Sequence, residues 1–348
     1  MNEITTKQDF TVRHFFVVNP VCFESRQKME AVIARVHHFF NQPDHSLQRG
    51  SADYAVHVSR FPRDAIGAIR RFANAVPAGA PLRVYAVGGD GILFDCLNGV
   101  IGLPNVELGI MPYGKRNDFY RVFGEKNRDV FNSLESQVCA PSVPVDAVYC
   151  GSNYVLSYCL IGIEPITSIS IKKIRERTFM KRFTPNFSPV GYINYMCTIG
   201  AMNFGLIKQY YRLWVDDENL SGVHFLINIM NSPWHWGNQY FSDADPTDGY
   251  LDVQASGDMG ILKMFRVANK VVRAQKEFKL GDTYLTGYYE KYPHLMTYRR
   301  AKKISVASEG SLILSLDGEL FYDKYIMVEI KPAAVRIINP NLVAGARL

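Results

Sequence analysis

No two of the six cysteines (Cys22, Cys96, Cys139, Cys150, Cys159, Cys197) form a CxxC pair, and no two of the eight histidines stand at HxxxH spacing. Neither a zinc site nor a disulfide framework is suggested, and a reducing compartment fits best. Long apolar runs are missing too: stretches such as YVLSYCLIGI, from Tyr154, fall short of the ~20 residues a membrane-crossing helix needs. The N-terminal MNEITTKQDF carries Glu3 and Asp9 and lacks the apolar segment of a signal peptide. The protein is therefore expected to be cytoplasmic, neither secreted nor membrane-spanning. Low-complexity segments and short repeats are absent, and hydrophobic residues at 47% against charged residues at 21% give an ordinary globular balance. Charge of one sign is scarce over most of the chain. The net +6 comes mainly from Lys172, Lys173, Arg175, Arg177, Lys181 and Arg182 against Glu176 alone. No nucleic-acid partner is expected; this local patch suits an anionic membrane surface, and equally a helix with one solvated face.

What is present is alternation. HFFVVNP, SRQKMEAVIARVHHFF, YAVHVSR, RDAIGAIRRFANAV, LRVYAVGG, ILFDCLNGVIG and VELGIMP read as βαβαβαβ, so a parallel sheet covered by helices is expected. Ligands of such sheets gather at the carboxyl ends of strands, and VVNP, AVGGDG and GIMPYGKRND are three such ends. At APSVPVD the character changes, and short strands predominate afterwards. Three segments follow: 1–143 as an α/β nucleotide-binding domain, 144–330 as a β-rich domain, and 331–348 as a C-terminal segment that could pack back on the first.

The glycine turns are the chemical feature. A dinucleotide fingerprint G-x-G-x-x-G fails at Phe94, and the P-loop pattern in GIMPYGKR fails at Arg116, where a hydroxyl is required. Asp90 is out of place in a phosphate cradle, because like charges at ~4 Å repel by several kcal/mol in a partly buried site. It makes sense if magnesium or a transferable proton lies between, or if it caps the helix that starts there.

The remaining motifs bear on that choice. GGDGILFDCLNG is similar to GGDGT followed by x-x-E-V-x-N-G, with Asp95 standing for the Glu and Asn98-Gly99 retained; PYGKRNDFYR is similar to P-x-G-T-x-N-D-F-A-R, with Pro112, Gly114, Asn117, Asp118, Phe119 and Arg121 in register. Asn19-Pro20 matches an N-terminal N-P, the segment ending in ADPTDGYLDV matches A-x-x-x-D-G-x-L-D-V, and LSLDGEL holds a D-G-E. Five motifs in this order resemble the diacylglycerol kinase catalytic family, which includes bacterial soluble lipid kinases, sphingosine kinases and ceramide kinases.

The resemblance implies an α/β plus β fold. An N-terminal parallel α/β nucleotide-binding lobe is joined to a C-terminal β-sandwich lobe, with the active site in the interlobe cleft. It implies transfer of the γ-phosphate of ATP, with Mg2+, to a lipid hydroxyl such as that of diacylglycerol. Glu319 is the first choice for general base and Asp90 for the magnesium–phosphate region, with Asp317 able to support either. Asn19, Pro20, Gly88, Gly89, Asp90, Gly91, Asp95, Gly114, Asn117 and Asp118 fall at the nucleotide. A structural magnesium is implied at Asp245, Asp248 and Tyr250, the last through its carbonyl. Bland alternatives stand beside these: D-G is a favoured hairpin pair, and SDADPTDG makes an acidic turn. This chain departs from the family at Ile92, at Lys115-Arg116 and at the missing Ser-Gly after Asn19-Pro20. Lys115 and Arg116 could grip the phosphates that hydroxyls would otherwise hold. The alternative is a catalytically silent relative that binds nucleotide or lipid. The lipid acceptor and a homodimer are both left open.

Overall fold

The computed structural model describes residues 12–41, 54–77, 79–114, 117–124, 127–176, 198–199, 202, 208–235, 237–239, 243–258, 260, 262–263, 266 and 296–344. The chain divides into two units, Met1–Val145 with Ala334–Leu348, and Asp146–Ala333.

In the first unit β1 (Arg13–Val18), β2 (Tyr54–Val58), β3 (Leu82–Gly88) and β4 (Val106–Pro112) alternate with α1 (Arg26–Asn41), α2 (Asp64–Ala75) and α3 (Asp90–Val100). The strands lie parallel in the order β2-β1-β3-β4. β3 is buried along its whole length and β1 from His14 onward, as expected of a parallel sheet covered on both faces. Met29, Val32, Ile33, Val36 and Phe40 recur at helical spacing on α1 and pack on Phe16, Val18, Tyr85 and Val87 of the sheet. Phe16 stacks on Tyr85 at 4.3 Å, and Tyr85 meets His14 Nδ1 through its hydroxyl at 2.9 Å. Helices α2 and α3 approach closely because Gly99 offers no side chain; a Cβ there would lie 2.7 Å from Ile69 Cδ1. After β4 come two short helices, α4 (Arg128–Asn132) and α5 (Leu134–Cys139), the second capped by Ser133 Oγ. The fully buried Gln137 of α5 donates to the Ile110 and Phe131 carbonyls at 2.6 and 2.9 Å, and Arg83 of β3 pairs with Glu107 at 2.7 Å.

The second unit is built mainly of antiparallel strands. It is entered along β5 (Ser142–Cys150) and continues through β6 (Asn153–Val155) and β7 (Tyr158–Gly162). Next come α6 (Ile163–Glu176), β8 (Gln209–Val215), β9 (Glu218–Asn219), β10 (Gly222–His224) and β11 (Leu226–Met230). The two-residue strands β12 (Trp234–His235) and β13 (Asn238–Gln239) pair with each other, followed by β14 (Leu251–Ser256), β15 (Met296–Ala301) and the long hairpin β16 (Lys303–Leu316) and β17 (Glu319–Ile338). One strand set runs β15-β14-β11-β7 and meets the carboxyl end of β16; the other runs β10-β8 and meets its amino end. The register shift between Ala307 and Leu312 lies between these two stretches, so one strand serves both sets, as strands of a β-sandwich do. β8 shows the period of two, with Tyr211, Leu213 and Val215 buried and Tyr210, Arg212 and Trp214 exposed. The last residues of β17 return to the first unit, where Arg336 and Ile337 lie parallel to Glu107 and Leu108 of β4.

Asp252 on β14 is almost wholly buried, accepts a hydrogen bond from the Tyr298 hydroxyl, and has its carboxyl pushed up to about 6. Burial is the main cause; Tyr298 and Arg300 pull it back, and Asp248 and Asp243 add to the rise. The folded chain thus holds this proton more tightly than the unfolded chain does. Stability from this group is complete below pH ~4 and is lost as the pH rises to about 6. Asp252→Asn is expected to raise stability at pH 7 by up to about 3 kcal/mol and to leave it unchanged near pH 3.5, measured by urea denaturation across that range.

Candidate functional site

In the first unit the ends of β3 and β4 meet. Gly88 stands opposite Pro112 in the parallel register, and the Gly114 N–H donates to the Gly88 carbonyl at 2.9 Å. The two glycine turns touch backbone to backbone, since a Cβ on Gly114 would lie 2.6 Å from Gly89 Cα. The Asn19-Pro20 turn closes the third side: Asn19 N–H donates to the Val87 carbonyl at 3.0 Å, and its side chain accepts the Val21 N–H at 3.1 Å. A Cβ on Gly88 would meet Ile92 Cγ2 at 2.8 Å, Asn19 Cβ at 3.1 Å and Cys22 Sγ at 3.3 Å. Ile92 is thus a buried wall against Gly88.

Asp90 is the first residue of α3, and its Oδ1 accepts the Asp118 N–H at 2.9 Å. The carboxylate ties one turn to the other. Asn117 adopts φ +46° and donates from Nδ2 to the Gly114 carbonyl at 3.0 Å; both Asn117 and Asp118 are buried. Arg128 clamps the same turn, donating to the Pro112 carbonyl at 2.9 Å and to the Gly114 carbonyl at 2.5 Å. No motif pointed to Arg128, because its contacts are to carbonyls and carry no side-chain signature. Burial pushes the Cys22 thiol up, the Gly89 N–H pulls it back, and Asp90 adds to the rise. The structure therefore gathers Asn19, Pro20, Gly88, Gly89, Asp90, Gly114, Asn117 and Asp118, with Gly91 in the first turn of α3. The first N–H groups of that helix have no partner within it, which is the property that makes a helix start an anion site. Lys115 and Arg116 lie outside the described residues.

Asp95 has a structural partner in the same unit. Its carboxylate accepts the Arg63 N–H at 2.9 Å and Nη1 at 3.3 Å, fixing Arg63 in a left-handed conformation at the entrance to α2. The same guanidinium lies 4.1 Å over the Phe94 ring.

In the second unit Asp317 and Gly318 adopt φ +48° and +89° at the tip of the β16–β17 hairpin. The hairpin alternative for LDGE is therefore met, since turns with two positive φ values favour D-G. Asp317 also has a further task. Its Oδ2 accepts the Leu156 N–H at 2.8 Å, and its Oδ1 accepts those of Ser157 and Tyr158 at 3.0 and 2.9 Å. A carboxylate that gathers three backbone donors fixes the hairpin tip, so Asp317 positions the turn that leads to Glu319. Glu319, the first residue of β17, follows the turn half-buried.

The set Asp245, Asp248 and Tyr250 does not fit a divalent ion. Asp245 Oδ1 accepts the Thr247 N–H and hydroxyl at 2.9 and 2.7 Å, and its carbonyl accepts the Asp248 N–H at 3.4 Å. Asp248 Oδ1 accepts the Tyr250 N–H at 2.9 Å, while Oδ2 is paired with Arg300. Burial pushes the Asp248 carboxyl up, the Tyr250 N–H and Arg300 pull it down, and Asp245 and Asp146 add to the rise. Among the described residues no group of three or more His, Cys, Asp or Glu side chains is arranged to hold a metal. Asp146, which no motif singled out, organises this turn by accepting the Gly249 N–H at 2.8 Å and the Ala333 N–H at 2.7 Å.

Asp317→Asn would turn an amide N–H2 toward a backbone donor. It is expected to destabilise the protein by about 2–4 kcal/mol, seen as a lower urea midpoint and faster amide exchange at Leu156, Ser157 and Tyr158.

Residues 13–150 match the family described as the diacylglycerol kinase catalytic domain. A Staphylococcus aureus (strain JH9) protein bearing the name "Putative lipid kinase" is 22% identical over 260 residues, 74% of this chain and 77% of that protein. A counterpart from strain N315 matches to the same extent. Among solved structures, a "putative diacylglycerol kinase from Bacillus anthracis str. Sterne" shares the fold with a TM-score of 0.65 at 19% identity, over 95% of this chain and 98% of its own. A second B. anthracis structure, described as a diacylglycerol kinase, gives 0.61 at 17% identity over the same shares. Residues 13–150 are thus similar to the diacylglycerol kinase catalytic domain, and the whole chain shares the fold of the two B. anthracis structures.

Proposed function

We propose that the protein is a lipid kinase that moves the γ-phosphate of ATP, accompanied by magnesium, onto a lipid hydroxyl such as that of diacylglycerol. The match of residues 13–150 to a kinase catalytic domain supports phosphotransfer in general. The observation that carries the reading is the contact of two bare-backbone turns at Gly89 and Gly114, at the start of α3. A side chain at Gly114 would push the two turns apart, and the helix start beside them favours negative charge.

Screening of phosphate charge is what magnesium supplies when bound with ATP, and Asp90 and Asp118 are the carboxylates of these turns suited to hold it. Asp90 also keeps the Gly114–Asp118 turn in place through the Asp118 N–H. Lys115 and Arg116 are proposed phosphate ligands in place of the missing hydroxyls. Glu319 is the proposed base. Its carboxylate takes the hydroxyl proton as the lipid oxygen bonds to the γ-phosphorus; the bond to the β–γ bridging oxygen breaks, and ADP leaves with the electron pair. Such proton removal is worth about 10²–10⁴-fold, while positioning of donors around the phosphoryl group supplies the larger part.

Purified protein, γ-labelled ATP, magnesium and a total lipid extract should yield labelled lipid, with Glu319→Gln slower by about 10²–10⁴-fold and ATP affinity unchanged. ATP binding with no labelled lipid from any fraction would favour the silent relative instead. Contact with an anionic membrane through the basic run is part of the same proposal. Of that run Lys172, Lys173 and Arg175 sit on the α6 backbone, and Arg177, Lys181 and Arg182 lie outside the described residues. Co-sedimentation with liposomes should rise with anionic lipid content and fall with salt; insensitivity to both would remove the membrane contact.

A further inference from the structure

We propose that the Arg300 guanidinium takes the place of a divalent ion at the Asp248 turn, so that the second unit is held by a cation its own chain carries. Arg300 is on β15, where it stands opposite Asp252 of β14. From there its guanidinium pairs with Asp248 Oδ2 and lies 4.7 Å over the Tyr250 ring. Lys302 Nζ lies 5.0 Å over the same ring, adding a second cation. Three further oxygens of the turn are engaged within it: Asp248 Oδ1 by the Tyr250 N–H, the Asp245 carbonyl by the Asp248 N–H, and Asp245 Oδ1 by Thr247.

Magnesium demands near-octahedral oxygens and gives up its waters reluctantly, so to reach the carboxylates of this turn, Asp248 with Asp245 and Asp146 nearby, it would have to displace a guanidinium already paired there. A guanidinium instead meets a carboxylate and an aromatic face in its preferred ways, and it needs no exchange with solution. The neighbouring Arg299 is committed elsewhere, gripping Glu218 with two bonds of 2.6 and 2.7 Å. That leaves Arg300 as the described arginine of this strand that faces the turn.

The test uses the full chain without nucleotide, so its result is separate from that of the kinase assay. Melting temperature is measured in EDTA and in millimolar magnesium, and manganese binding is followed by electron paramagnetic resonance. The wild type should melt at the same temperature in both solutions and bind no manganese. Arg300→Met should melt several degrees lower in EDTA and recover part of that loss in magnesium, and Arg300→Met/Asp248→Asn should show no recovery. A wild-type melting temperature that rises with magnesium, with the rise abolished by Asp248→Asn, would overturn the proposal. That comparison needs no folded Arg300 variant.

Discussion

Two strand ends in the first unit come into contact because Gly114 carries no side chain where they touch. A Cβ on Gly114 would lie 2.6 Å from Gly89 Cα, well inside van der Waals contact, so the approach exists only with glycine at 114. Everything else around the turns depends on that closeness. Asp90 reaches the Asp118 N–H because α3 starts beside the second turn, and Arg128 can hold both Pro112 and Gly114 carbonyls because the turn is drawn in. The carboxylate that looked misplaced in a phosphate cradle has a mechanical role in addition to any chemical one.

The second unit uses the same device in reverse. There the carboxylates serve as acceptors that gather backbone N–H groups from distant segments: Asp317 takes three from Leu156, Ser157 and Tyr158, and Asp146 takes one each from Gly249 and Ala333. A charged acceptor for buried N–H donors is stronger than a neutral one, and it fixes loops that hydrophobic packing alone would leave free to slide. Asp317 thereby sets where the hairpin tip stands, and with it the start of β17 at Glu319.

The strands and helices of the first unit were legible because each announces its period: five helically spaced apolar residues in α1, continuous apolar runs in β1 and β3. The glycine turns were legible because a Cβ at Gly88 or Gly114 would collide with its neighbours. The partners of Asp95 and Asp317 were not legible, since a motif records that a carboxylate is required and not which donors it receives. Arg128, Asp146 and Arg300 gave no signal in advance. Their partners are carbonyls, N–H groups or a carboxylate brought near only by the tertiary fold, and nothing in local sequence marks such a residue.

The pairing of Arg336 and Ile337 with β4 bears on how the chain is made. Arg336 also donates to Ser142, 194 positions earlier, at the start of β5. As the polypeptide leaves the ribosome, β4 must wait as an open parallel edge while the whole second unit is synthesised. Open edges recruit other strands, and their closure at such sequence separation is slow. Completion of the first unit is thus a late event in biogenesis, and the interval before it is when a chaperone would be most needed.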